Sequence, residues 1–195
     1  ALGSTLIGHD WGAIFIYMLL NKYPDAASRF IALEIGAAPR SIFLTLFVLT
    51  YHCLLNLAHW VGSGIGDKMV QWLCAFFPRP PYKEALKPMA EHTWVYRQAW
   101  REGAKYGPWP FYFRNVIARW TAPASLPFLF LYGQDGLKLL RFHSKAWRQN
   151  IIAPCPQSRA KGMAGKHWFF LEHPESFEKE LDTFFAATAS KSSEG

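Results

Sequence analysis

The residues best placed to do chemistry lie in Gly8-His9-Asp10-Trp11-Gly12. An apolar stretch, Leu2–Ile7, precedes them, and an apolar run, Ala13–Leu20, follows. That order reads as strand, sharp turn and helix, with Asp10 at the turn. A carboxylate held there can attack carbon and form an ester. The flanking glycines are expected because the turn leaves little room for side chains. An aspartate ahead of a helix also commonly caps it, but the whole pattern favours the nucleophile. The ester must then be hydrolysed. His167, in Gly165-Lys166-His167-Trp168, is the expected base for the water that does so. A carboxylate should orient that histidine, and two qualify. Asp135 follows the apolar segment Pro127–Tyr132 and Gly133, and Glu34 closes Arg29–Glu34. Both assignments stay open, since the longer Glu arm can reach from the earlier strand. Trp11 offers its backbone N–H to a developing oxyanion and its indole N–H to a leaving group. His173 reads as a helix-start residue. This chemistry needs no metal or cofactor, and it points to a small hydrophobic substrate.

Several elements must position these groups. Leu2–Ile7, Arg29–Ile35 and Pro127–Tyr132 read as strands, and their continuous apolar character fits a parallel sheet covered on both faces. The class is therefore α/β. Trp11–Lys22 reads as a helix stopped by Tyr23-Pro24-Asp25. Ser41–Val61 contains about twenty residues without a formal charge. Its length makes it a membrane-span candidate, whereas His52, Asn56 and His59 argue against a simple lipid-facing span. It is either a buried or partly exposed helix, or a segment that docks on or enters a membrane. Gly62–Gly66 reads as a flexible turn, with helices over Asp67–Phe77, Tyr82–Tyr106 and Phe142–Asn150. Ser158–Met163 occupies a last-strand position, although SRAKGM is a poor strand sequence. Pro174–Ala187 repeats Phe177, Leu181, Phe184 and Phe185 at helical spacing. Residues 188–195 form a polar tail, expected to be disordered.

The net charge of +7 is concentrated over Arg79–Arg119, with eight Lys/Arg against three Glu and interleaved aromatics. No nucleic-acid-binding motif accompanies it, so a solvated face is expected and no nucleic-acid partner. Cys53, Cys74 and Cys155 are widely spaced and odd in number. They read as buried free thiols of a reducing, cytoplasmic compartment.

The chain resembles the aspartate-nucleophile group of α/β-hydrolases, which contains epoxide hydrolases and haloalkane dehalogenases. The matching residues are Leu6-Ile7-Gly8-His9-Asp10-Trp11-Gly12, Pro127–Gly133, and His167-Trp168 with Leu171-Glu172-His173-Pro174. Asp10 stands where the G-x-S-x-G elbow of this fold carries its serine. The resemblance implies core segments over 1–37 and 125–187, and a helical cap over 38–124. It also implies epoxide opening aided by a cap tyrosine, with Tyr112 in Gly107–Asn115 the first candidate and Tyr51, Tyr96 and Tyr106 the others. Haloalkane hydrolysis is the alternative. Glu34 at its strand end is a placement seen in one dehalogenase subgroup, and Gly133-Gln134-Asp135 is one residue shorter than the usual G-x-x-D. The family's first four strands and its His-Gly-x-Pro loop would precede Ala1. The expectation is thus a piece of a longer hydrolase; the alternative from another class is a catalytically inactive fragment or a membrane-associated interaction protein.

Overall fold

In the computed structural model the described residues are 3–36, 42–74, 89–106, 120–136 and 141–189. They fall into two compact units, one of residues 1–38 and 116–195 and the other of residues 39–115.

The first unit is built on four parallel strands in the order β1-β2-β3-β4: β1 Thr5–His9, β2 Arg29–Leu33, β3 Phe128–Gly133 and β4 Arg159–Met163. Registers Ile7↔Ile31, Ile31↔Leu129 and Leu129↔Arg159 align them. The two central strands are apolar on both faces because both faces are covered. Phe30, Phe128 and Phe130 meet Tyr17, Trp120 and Trp147 on one side. Ile31, Leu33, Leu129 and Leu131 meet Phe169 and Phe184 on the other. The weak strand sequence at β4 is accommodated because β4 is an edge. Its Lys161 and Arg159 pair with the buried Glu180 rather than filling a core.

Helix α1, Trp11–Lys22, has the expected bounds, and β1 reaches His9, two residues beyond the expected end. The helix expected from Phe142 starts instead at Lys145 (α5, Lys145–Ile152), because the Ser144 side chain accepts the Trp147 N–H and caps it. A short turn of helix, α6 Phe169–Glu172, leads into α7, Pro174–Ala189. Residues 188 and 189 are therefore helical rather than part of a tail. The periodic Phe177, Leu181 and Phe185 of α7 pack on the core.

The second unit contains α2 Ile42–Val61, α3 Ile65–Cys74, a 3₁₀ turn at Ala90–Thr93 and α4 Trp94–Tyr106. Leu55, Ala58, Val70, Leu73 and Ala90 form its core. Helix α3 begins inside the segment expected to be a flexible turn, and Asp67 explains why. Its carboxylate accepts the N–H groups of Gly64 and Ala90, at 3.2 and 2.8 Å, and so fixes the connection. The cysteine expectation holds for Cys155 only. Cys74 is half-buried, and Cys53 is exposed because it lies on the outer arc of α2.

Candidate active site

Parallel strands deliver all their carboxyl ends to one edge, where ligands of α/β sheets commonly bind. Asp10 follows β1, Glu34 follows β2, Asp135 lies just past β3, and His167 lies four residues past β4. The sheet thus brings residues from four distant parts of the sequence together.

The turn at Asp10 has φ 51° and ψ −119°, a conformation L-residues rarely adopt. Strain of this kind costs about 1–3 kcal/mol and concentrates at functional sites. Gly8 permits it, since a Cβ there would lie 2.6 Å from the Ala13 nitrogen. The requirement does not extend to Gly12, where a Cβ would meet nothing within 4 Å. Asp10 occupies the N-cap position of α1, but its carboxylate makes no capping hydrogen bond. The helix start is served by the Asp10 carbonyl, which accepts the N–H groups of Ala13 and Ile14. The side chain is left for another task.

His167 lies between two carboxylates. Its Nε2 is 3.9 Å from Asp10 Oδ2, and its Nδ1 is 4.0 Å from Glu34 Oε2. Both are ion-pair separations rather than hydrogen bonds. Side-chain exposure falls from 41% at Asp10 through 29% at His167 to 17% at Glu34. Glu34 is the more buried carboxylate, and Asp10 the more reachable one. Glu34 is held by its other oxygen, which accepts the Gly133 N–H at 2.5 Å. Gly133 also lets the loop carrying His167 cross the end of β3, because a Cβ there would lie 2.2 Å from the Lys166 carbonyl oxygen.

Asp135 faces elsewhere. Its Oδ2 accepts the Gly165 N–H at 2.7 Å, and its own N–H donates to the Gly165 carbonyl at 2.9 Å. It fastens the histidine loop through the backbone. Of the two acids left open by the sequence, Glu34 is the one the structure brings to His167. Trp11 opens α1, with its ring 6.0 Å from that of Phe15. Tyr112 lies outside the described residues, as does the side chain of Tyr106. Tyr51 and Tyr96 belong to the helical unit, their rings 6.0 Å apart. His173 sits between α6 and α7, and its carbonyl accepts the Phe177 N–H.

Although part of the Asp10 side chain meets solvent, the protein packed around its carboxyl desolvates it and pushes its pKa above the usual range; the His167 imidazole opposes this and the Glu34 charge adds to it. Burial alone would lower the pKa of His167, but the Glu34 and Asp10 carboxylates outweigh it and the pKa is raised. Among the described residues no cluster of His, Cys, Asp and Glu could hold a metal ion.

One contributor escaped the sequence reading. His9 Nε2 lies 3.1 Å from the His167 carbonyl oxygen. A carbonyl only accepts, so Nε2 carries the proton. The His9 ring is 4.4 Å from the His167 ring and 4.7 Å from that of Trp168. Burial, then the charge on His167, lower the His9 pKa to about 3, which keeps the ring neutral. Its one sequence signal was adjacency to Asp10.

No protein-family model matches the chain, and no curated protein matches its sequence. Solved structures do match its shape. An epoxide hydrolase from Bacillus megaterium aligns over 94% of this chain and 69% of its own, with TM-score 0.57 and 14% identity. An esterase from a marine microorganism aligns over 93% and 70%, with TM-score 0.54 and 13% identity. A haloalkane dehalogenase from Agrobacterium tumefaciens C58 aligns over 93% and 66%, with TM-score 0.52 and 20% identity. The chain thus spans about two thirds of the length of these neighbours. What they share with it, a parallel sheet flanked by helices in the same arrangement, is the α/β-hydrolase fold.

Proposed function

We propose that this chain carries the nucleophile and base of a hydrolase that works through an ester on Asp10, with epoxides as substrates. An Asp10 carboxylate oxygen attacks an epoxide carbon, and the ring C–O bond breaks. The oxygen released takes a proton from a general acid. Water then loses a proton to His167 Nε2 and adds to the ester carbonyl. The Trp11 N–H, at the start of α1, is the group that would stabilise the oxyanion. Collapse of that adduct expels the diol oxygen with the proton from His167, and the carboxylic acid left on Asp10 returns its proton to the general acid, which restores the carboxylate. Glu34 stabilises the imidazolium formed in between.

The observation that carries this reading is the placement of His167 between an Asp10 carboxylate that makes no capping hydrogen bond and a more deeply buried Glu34. The test is to trap the ester. A His167→Gln chain incubated with an epoxide panel should gain the mass of one intact epoxide, and peptide mapping should locate it on Asp10. An adduct on any other residue, or none with every epoxide tried, rejects the proposal.

Dehalogenation is the second reading, favoured by the use of Glu34 as the acid next to His167. There the carboxylate displaces halide, so the trapped Asp10 carries only the alkyl group. The mass gained by the same variant with haloalkanes separates the two.

A further inference from the structure

We infer that the outer arc of α2 is a docking surface for an anionic lipid bilayer, on which the helix lies in the plane of the interface. At 100° per residue, Ile42, Phe43, Leu46, Phe47, Thr50, Cys53, Leu57, Trp60 and Val61 all fall within one arc of about 140°. All nine are exposed, Trp60 by 80%, and none is charged. An exposed helix face normally carries charge, and a contiguous apolar surface of this length marks an interaction site. At about 1.5 Å per residue the arc extends for about 30 Å.

The opposite arc shows how the helix must sit. Leu44, His52, Leu55 and Ala58 are buried, and the last two pack with Val70, Leu73 and Ala90. The Thr93 hydroxyl also donates to the Leu55 carbonyl at 3.2 Å. Crossing a bilayer would strip this arc from its neighbours, whereas lying flat leaves it in place. Charge selects lipid over a second copy of the chain. Residues 39–115 hold nine Lys/Arg against four Asp/Glu, most of the positive excess of the whole protein. Lys68, Arg97 and Arg101 are exposed. Two such units would repel one another, while anionic headgroups attract them. Exposed Trp60, Trp72 and Trp94 add side chains that favour the headgroup level.

The test is flotation of the full chain with vesicles of phosphatidylcholine containing phosphatidylserine. The chain should float with these vesicles, several-fold less with pure phosphatidylcholine, and its tryptophan emission should shift to the blue. A Leu46→Glu/Leu57→Glu double variant should lose at least about tenfold in the floated fraction. Because both positions are exposed, its melting temperature should stay at the wild-type value. Met89→Glu, off the arc, should float as wild type does. Alkaline carbonate should release the bound chain. Failure to float, equal flotation of the double variant, or retention in carbonate overturns the inference. So does a lipid-free dimer that the double variant dissociates, since the arc would then belong to a second copy.

Discussion

Glu34 and Asp135 close neighbouring strands of one sheet, and each meets the loop that carries His167 in a different way. Glu34 anchors one oxygen on the Gly133 N–H and faces the other toward the imidazole. Asp135 spends its carboxylate on the Gly165 N–H, two residues before the histidine, and adds a backbone bond in the reverse direction. One carboxylate acts on the ring and the other on the loop. The strand end on which an acid stands therefore does not decide its task. What decides is which group its oxygens can reach.

The largest effect should come from Glu34→Gln, which keeps the size and removes the charge. If Glu34 supports the imidazolium, turnover should fall about 10²–10⁴-fold, as when the acid behind a catalytic histidine is neutralised. The pH profile gives the sharper check. His167 acts as a base only when neutral, so the rate should fall as pH drops through its raised pKa. Without the Glu34 charge burial gains weight, and the acid limb should move to lower pH. An NMR titration of the imidazole reads the same shift without turnover, and an unmoved titration would remove the distinction between the two acids.

A smaller effect, of another kind, should follow Asp135→Ala. Loss of one charge-assisted hydrogen bond should cost about 1–3 kcal/mol of stability. At about 2–4 °C per kcal/mol for a protein of this size, the loss is readable in a thermal melt. The His167 titration should keep its wild-type position. A turnover loss that rivals Glu34→Gln, with the titration moved as well, would make Asp135 the acid.

The sequence showed the elbow and the bounds of α1 because both depend on adjacent residues. Glycine, a chain-reversing turn and an apolar run are local signals. The choice between Glu34 and Asp135 was hidden because it depends on register and on the positive φ of 71° at Glu34, neither of which a linear spacing encodes. The edge strand β4 looked unfavourable because Arg159 and Lys161 are polar, and their pairing with Glu180 comes from a helix about twenty residues later. Gly12 was over-read for the converse reason. A symmetrical motif implied symmetrical crowding, but only Gly8 is crowded.

The smallest effect should come from His9, which shares the loop-holding task with Asp135 at the other end of the segment. Asp135 fixes Gly165, while the His9 N–H fixes the carbonyl of His167 itself. His9→Phe keeps a ring beside Trp168 and Phe170 but removes the donor. With about 1 kcal/mol at stake, kcat should fall roughly fivefold while KM holds. The acid limb should stay in place, because His9 is neutral and contributes no charge to His167. His9→Gln, which restores an N–H donor, should recover part of the loss, whereas a packing role alone would favour Phe over Gln. Since both residues tether the same short loop, Asp135→Ala and His9→Phe should combine non-additively, with a coupling of about 0.5 kcal/mol or more. Simple additivity in a double-mutant cycle would mean that the two tethers act on separate structures, and that His9 belongs with Glu34 on the ring side of the comparison.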